Sequence, residues 1–144
     1  MINIHPWAKV HPTSFIETMF PEGRVEIGPA AEIGPGVIIN AAKRIFVGEK
    51  ALLGPYTVIY DTGHVYTDIT RPISEQGMTP PKEIIIGRGA WIGAHCMIMA
   101  SVGRNSVVGA NSVVKEDIPD FCMAAGSPAK IIKRNINGIW KTRS

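Results

Sequence analysis

The chain has 144 residues, of which 45% are hydrophobic and 19% are charged, and its formal net charge is +3. This length accommodates one domain with a real core, and no apolar run approaches the roughly 18 residues of a membrane span. Cys96 and Cys122 are too few for a disulfide framework, and the N-terminus lacks the basic and apolar regions of a signal peptide. We therefore expect a cytoplasmic protein with reduced thiols.

The charges are unevenly placed along the chain. All twelve acidic residues lie at or before Asp120, and the basic residues that follow it are Lys130, Lys133, Arg134, Lys141 and Arg143. A local cation patch on a near-neutral body suits a polyanionic small molecule better than a nucleic-acid groove. The sequence therefore predicts no nucleic-acid partner.

A six-residue repeat opens with the hexad from Val10 to Ile16, is interrupted between Glu17 and Arg24, and is regular from Ile27. An aliphatic residue recurs every six positions, usually with Gly after it and a small residue four positions after it. Six is neither a helical period nor a strand alternation, and it is typical of a hexapeptide β-helix. We expect the aliphatic side chain to point into a narrow prism and the Gly to let the backbone turn each corner.

Every third hexad lacks the Gly, so three hexads make one coil of a triangular solenoid. The aliphatic positions are Ile27, Ile33, Ile39; Val47, Leu53, Ile59; Ile86, Ile92, Ile98; and Val102, Val108, Val114. The irregular steps all follow the third hexad of a coil and therefore fall on one edge of the prism, where corners can lengthen into solvent. With the opening hexads we expect about five coils, on the order of 24 Å tall.

These boundaries divide one domain, residues 1–144, into coils at about 4–59 and 84–114, an inserted loop at 60–83 and a C-terminal tail at 115–144. A loop this long inside a compact domain is usually functional or disordered. Because the loop contains Tyr60, Tyr66 and a hydrophobic run, we expect an ordered arm that reaches over a neighbouring surface. In the tail, Ser127-Pro128 is consistent with the start of a short helix, and Asn137-Gly138 predicts a turn.

Two histidines are candidates for general-base chemistry, for which imidazole is the best-matched side chain near neutral pH. His64 lies in the inserted loop, with Asp61 and Asp68 nearby. His95 lies in a regular hexad, so its ring is expected to face outward from a coil. His5 and His11 belong to His-Pro pairs at the start of the solenoid, and we assign them no chemistry. From position alone, the alternative interpretation, a solvated loop histidine, is favoured for His64.

The repeat and the segments TGHVY, WIGAH, VVGANSVV with DIP, and AAGSPAKIIK resemble the hexapeptide-repeat acyltransferases. The most similar subset is the acetyl-CoA-dependent O-acetyltransferases, which include the galactoside, maltose and Nod-factor enzymes. The segments DTGHVYTD, RPISEQG and KEIIIG look most like bacterial surface-polysaccharide O-acetyltransferases. The resemblance extends from Ile27 to Lys133. It implies an all-β, left-handed parallel β-helix that forms a homotrimer with active sites between subunits.

The resemblance also implies an enzyme in which His64 is the catalytic base. In the similar enzymes this imidazole takes a proton from an acceptor hydroxyl, which then attacks the thioester carbonyl of acetyl-CoA. An oxyanion would need a backbone N–H donor, for which the resemblance points to the amide of Ala94. Asp61, Asp68 and a carbonyl group all remain candidates for orienting the imidazole.

The resemblance places acetyl-CoA in a groove between subunits. Trp91 would line the pantetheine channel, Ala94 and Ala110 would offer backbone contacts, and Lys130 and Lys133 would approach the phosphates. Lysine suits phosphate as a compact cation. The alternatives are that Trp91 is an interface aromatic and that the lysines belong to a solvated basic tail.

Two departures from the family pattern bear on the site. Lys115-Glu116 replaces the common Thr-Lys before Asp-Ile-Pro, and the step from Ile98 to Val102 is two residues shorter than usual. The predicted function is transfer of acetyl from acetyl-CoA to a hydroxyl of a sugar or saccharide, such as a surface polysaccharide or its precursor. The alternatives are a non-saccharide acceptor such as an antibiotic hydroxyl, an amino sugar amine, and a non-catalytic scaffold. No metal is predicted, because a zinc enzyme on this fold needs three histidines and none follows His95.

Overall fold

The computed structural model describes residues 1–142, which form short strands that wind around a triangular prism. The strands are β1 Ile2–Ile4, β2 Lys9–Val10, β3 Phe15–Thr18, β4 Arg24–Ile27, β5 Glu32–Ile33, β6 Ile38–Ala41, β7 Arg44–Val47, β8 Leu52–Leu53, β9 Val58–Tyr60, β10 Glu83–Ile86, β11 Trp91–Ile92, β12 Met97–Ile98, β13 Val107–Val108, β14 Val113–Val114, β15 Cys122–Gly126, β16 Ala129–Ile136 and β17 Ile139–Thr142. The one helical element in this range is a 3₁₀ turn at Ile73–Glu75.

Three sheets form the faces of a left-handed parallel β-helix. The first face has the order β1-β4-β7-β10, the second β2-β5-β8-β11-β13-β15-β16-β17, and the third β3-β6-β9-β12-β14. The chain visits the faces in that order, and each strand pairs in parallel with its equivalent in the next coil. Single bridges from Ile86 to Val102 and from Val102 to Ile118 extend the first face. The result is five coils and the start of a sixth, formed by Ile118 and β15.

The predicted inward residues form the core. All twelve aliphatic residues of the repeat are buried, and none is more than 3% exposed. The small residues that follow them are buried as well, and those with polar atoms bond to backbone. Thr57 and Ser112, for example, donate to the carbonyl oxygens of Gly93 and Gly109 at 2.9 and 2.6 Å. These small residues therefore bury their polar atoms without leaving them unpaired.

The structure corrects the expected role of the repeat glycines. Positive φ angles occur two residues after the Gly, at positions such as Ala30, Lys50 and Tyr56, and not at the Gly itself. What excludes a side chain at the Gly is the next coil. A Cβ on Gly28 would lie 2.9 Å from the nitrogen of Glu49, and one on Gly93 would lie 2.6 Å from the nitrogen of Ala110. Glycine is therefore needed for close stacking of successive corners.

The C-terminal segment differs from the expected short helix. Ser127-Pro128 connects β15 to β16, which pair antiparallel, and Asn137-Gly138 forms the predicted turn between β16 and β17. The second face is thus extended beyond the coils by a hairpin. Among residues 1–142, no helix is long and apolar enough to cross a membrane.

Candidate active site

The inserted segment leaves the edge between the third and first faces, which we call the arm edge, and forms an ordered hairpin. The amide of Val65 donates to the carbonyl oxygen of Gly77 at 3.0 Å, and that of Thr79 donates to Gly63 at 2.8 Å. These bonds flank a bridge between His64 and Met78. The backbone at His64 is therefore fixed by its partner strand, while the side chain is exposed.

His64 stands between two clefts on this edge. The larger cleft, of about 540 Å³, also contacts Tyr60, Tyr66, Lys82, Met99 and Lys115. The smaller one, of about 350 Å³, is lined by Met19, Asn40 and Met78 among others. We call the larger the lysine cleft and the smaller the methionine cleft. A base in this position can reach a ligand on either side of the arm.

Neither aspartate that sequence reasoning considered orients the imidazole. The carboxylate of Asp61 is buried, and its two oxygens accept the N–H groups of Ala42, Lys43 and Arg44 at 2.7, 2.7 and 3.0 Å. It therefore anchors the root of the arm to the preceding coil. Within residues 1–142 the ring of His64 makes no hydrogen bond.

Asp68 organises the tip of the arm. Its Oδ1 accepts the hydroxyl and amide protons of Thr70 at 2.7 and 2.9 Å, and its Oδ2 pairs with the guanidinium of Arg71 at 3.1 Å. The hydroxyl of Thr70, then its amide, and finally Arg71 stabilise the charged form and hold the pKa of Asp68 below its usual value.

His95 lies on a different edge, between the second and third faces, which we call the amide edge. Its ring is exposed, as expected, and stacks on Tyr56 with ring centroids 5.2 Å apart and planes 12° apart. This contact with Tyr56 accounts for the position of the His95 ring without a catalytic role. His95 is not among the residues lining the clefts at His64.

The amide edge carries the two predicted backbone donors. Within residues 1–142, the N–H groups of Ala94 and Ala110 donate to no acceptor. The equivalent corner positions in the two preceding coils are Pro35 and Pro55, which have no N–H. Two successive coils therefore present unpaired donors at the same place on the surface, as a ligand rich in carbonyl groups would require.

Trp91 and Lys133 belong to one cleft of about 270 Å³, lined also by Val107, Met123 and Trp140. The register produces this arrangement, since Trp91, Val107, Met123 and Lys133 are successive partners across the second face. Lys130 pairs with Ala125, next to the amide edge. The structure thus brings together predicted cofactor residues that are 42 positions apart in the chain.

The predicted base and the predicted cofactor residues lie on different edges. One strand of the third face separates them, for example from Ala94 to Met99 in the fourth coil. At about 3.3 Å per residue this distance is roughly 16 Å. A single chain therefore does not close a site in which all of these residues meet.

The sequence did not single out Asn40 or Lys82 at His64, and it pointed to Lys115 only as a departure from the family pattern. The Oδ1 atom of Asn40, in the methionine cleft, is buried without a hydrogen-bond partner among residues 1–142. Lys82 and Lys115 line the other cleft. The available signal was position, because Asn40 and Lys115 occupy the third corner of their coils, where the Gly is absent, on the edge that carries the arm. Within the same range, no three His, Cys, Asp or Glu side chains converge as a metal site.

Comparison with curated proteins gives relatives that are acetyltransferases. The chain is 34% identical to a probable acetyltransferase of Mycobacterium tuberculosis over 78% of its length, 32% identical to a serine acetyltransferase of Synechococcus elongatus over 77%, and 38% identical to a galactoside O-acetyltransferase of Escherichia coli over 65%. The matched parts are 38%, 43% and 45% of those relatives. The chain thus spans less than half the length of each. No protein-family model matches the sequence.

Solved structures extend the likeness to the whole fold. A hexapeptide-repeat acetyltransferase from Vibrio cholerae superposes with a TM-score of 0.76 and 30% identity, covering 88% of this chain and 70% of that one. The same enzyme complexed with acetyl coenzyme A superposes with a TM-score of 0.77 and 29% identity, covering 92% of this chain and 70% of that one. The coils, the arm on one edge, the unpaired amides on another and these matches lead to one conclusion: the chain belongs to the hexapeptide-repeat acetyltransferase family.

Proposed function

We propose that the chain transfers the acetyl group of acetyl-CoA to a hydroxyl of a sugar or saccharide, with His64 as the general base. The observation that carries the proposal is the pair of sites described above. An ordered arm presents an exposed imidazole between two clefts, and a separate edge presents unpaired amides beside a cleft with two indoles and Lys133. The galactoside O-acetyltransferase relative supports a saccharide acceptor.

The reaction needs few groups from the protein. The Nε2 or Nδ1 atom of His64 accepts the proton of the acceptor hydroxyl as its oxygen bonds to the thioester carbonyl carbon. The N–H of Ala94 donates to the carbonyl oxygen, where negative charge develops. The carbon–sulfur bond then breaks, and the imidazolium returns its proton to the departing thiolate.

The distance between the two edges supports a homotrimer with its sites between subunits. If the arm edge of one copy lies against the amide edge of the next, the base of one and the donors of the other share a groove, and three copies close the ring. The arm tip fits this arrangement, because Tyr66 is 71% and Ile69 96% exposed in the isolated chain. A contact with a neighbouring copy would bury these two apolar side chains of the arm tip.

A second candidate is a non-saccharide hydroxyl acceptor. The serine acetyltransferase relative favours it, since that match covers 77% of this chain, about as much as the others. The chemistry at His64 would be the same for both acceptors. The two candidates differ only in which molecule occupies the cleft on the acceptor side.

The function is tested by release of the CoA thiol from acetyl-CoA in the presence of sugars, oligosaccharides and L-serine. General-base help is worth about 10²–10⁴ in rate, so His64→Ala should lower kcat within that range and leave CoA affinity unchanged. His95→Ala is the matched control and should retain most of the activity. Full activity in His64→Ala together with loss of activity in His95→Ala would contradict the assignment.

The assembly is tested by light scattering of the full chain at micromolar concentration. A mass of three chains supports sites between subunits. Mixing inactive His64→Ala chains with inactive Ala94→Pro chains then provides a sharper test, because some sites in the mixed trimers regain both intact groups. A monomer mass, or no recovery of activity after the two variants are unfolded and refolded together, would overturn the shared-site proposal.

A further inference from the structure

The lysine cleft contains two cations that the proposed reaction does not use. Lys82 is the last residue of the arm, and Lys115 follows β14 on the coil edge beneath it. The backbone of Lys82 is fixed by its N–H bond to the carbonyl oxygen of Asp61 at 3.0 Å. Two separate elements thus contribute a lysine each to the lining of the cleft that contains the base.

Three of the acids near these lysines are engaged by other groups, and the exposed Glu116, next to Lys115, forms no ion pair with either lysine within residues 1–142. Asp61 is the one acidic residue that lines the cleft, and three backbone N–H groups engage its buried carboxylate. Glu83, next to Lys82, pairs with Arg44 at 2.8 Å. Asp117, near Lys115, accepts the amide of Ser101 at 2.9 Å.

Within residues 1–142, neither Lys82 nor Lys115 has a carboxylate within 4.0 Å. Six basic side chains in this range do form such pairs, and the other unpaired ones, such as Lys130 and Lys133, do not line this cleft. Where two lysines line a cleft whose one acidic side chain is already engaged by three backbone donors, the local potential favours an anion.

We propose that the lysine cleft binds the acceptor and that this acceptor carries an anionic group, a carboxylate, phosphate or sulfate, near the hydroxyl that is acetylated. This inference rests on the proposed function and names its substrate class. Lys82 and Lys115 are then specificity-determining residues, each donating a charge-assisted hydrogen bond to the anionic group.

The alternative occupant is CoA, whose phosphates are also anionic. The position of the lysines argues against it. The thioester must react beside His64, and the phosphates of CoA are separated from the thioester by the whole pantetheine arm. Charges beside the base therefore face the reacting end of the donor, which carries none, and the acceptor is left as the source of negative charge.

The test compares methyl glucoside with three analogues that carry a carboxylate, a phosphate or a sulfate at C6. For the wild-type trimer we expect kcat/KM to be higher for at least one anionic analogue and to fall as salt is added, because salt screens the attraction. Lys82→Gln and Lys115→Gln should each lower the anionic-to-neutral ratio of kcat/KM by about tenfold, corresponding to one charge-assisted bond. Lys50→Gln, on a distant edge, is the matched control.

A binding measurement keeps the inference testable if these glycosides are not turned over. Chemical shifts of the labelled His64 ring should respond to an anionic glycoside at lower concentration than to methyl glucoside, and the two lysine variants should abolish the difference. No anionic preference in either assay would overturn the inference. It would also be overturned if the variants raised the Kd of CoA, or lowered kcat equally for charged and neutral acceptors. If the wild-type protein transfers acetyl to none of the saccharides but still binds the anionic glycoside preferentially, the result would instead count against the proposed function.

Discussion

Replacing alanine with proline on the amide edge isolates the contribution of a single N–H group. Ala94 and Ala110 occupy the corner position that Pro35 and Pro55 occupy in the preceding coils. Because Pro35 and Pro55 fit at this corner in their own coils, the backbone accepts a proline ring at this position. Replacing Ala with Pro therefore removes little except the N–H donor. Where proline is compatible, it also reduces the entropy of the unfolded chain, so thermal stability should be maintained or slightly raised.

The two substitutions should have different kinetic signatures. If the Ala110 amide bonds to CoA, Ala110→Pro loses one neutral hydrogen bond, worth about 0.5–1.5 kcal/mol, and the Kd of CoA rises about 2- to 13-fold. If the Ala94 amide donates to the developing oxyanion, Ala94→Pro lowers kcat about 10²- to 10³-fold. The Kd of CoA should change much less in that variant, because the interaction strengthens in the transition state.

The assays are calorimetric titration with CoA, steady-state thiol release and a thermal melt. Arg88→Pro is the control. Arg88 occupies the equivalent corner position on the remaining edge of the prism, between the first and second faces, and its amide also donates to no acceptor among residues 1–142. Its ion pair with Glu49 is exposed, and such pairs contribute little. An unchanged Kd in Ala110→Pro, or an unchanged kcat in Ala94→Pro, with a melt like that of the wild type, would refute the assignment of these donors.

Three further predictions concern charge. Replacing Lys130 and Lys133 together with Ala should weaken CoA more than dephospho-CoA, because the lost partners are phosphates; equal weakening in calorimetry would argue against the placement of the 3′-phosphate. Asp61→Asn leaves buried N–H groups at the arm root without a full acceptor, so urea unfolding should show a free energy of unfolding lower by about 2–4 kcal/mol. Glu17→Gln is the control, because it makes the same acid-to-amide change at a carboxylate that accepts one side-chain N–H, from Asn40. The lowered pKa of Asp68 means that its stabilisation is present above the unfolded value near 3.9 and is lost as pH falls through the lower folded value. The protection of arm-tip amides against hydrogen exchange, relative to the intrinsic exchange rate at each pH, should therefore fall only in strong acid. In Asp68→Asn that protection should already be lower at neutral pH.

The sequence by itself predicted the coils, because a narrow prism admits only one pattern of residues. Each inward position must be aliphatic and each tight corner must be small. The buried positions therefore recur with the six-residue period, as the buried Ile39, Ile59 and Ile98 show. The arm edge was predictable for a related reason. A corner that projects into solvent is the one place where the repeat can change length without disturbing stacked strands.

Tertiary structure decided what depends on the coil above or below. Gly93 looks like a residue that turns a corner, and only the stacked nitrogen of Ala110 shows that it provides close approach instead. Asp61 is a plausible partner for His64 in sequence, yet its carboxylate lies over the backbone of a corner 17 to 19 residues earlier. Such contacts depend on distances between coils, which a six-residue period does not record. The same limit applies to function, because the base lies on the arm edge and the amide donors lie on the amide edge, and the period does not give the distance between these edges.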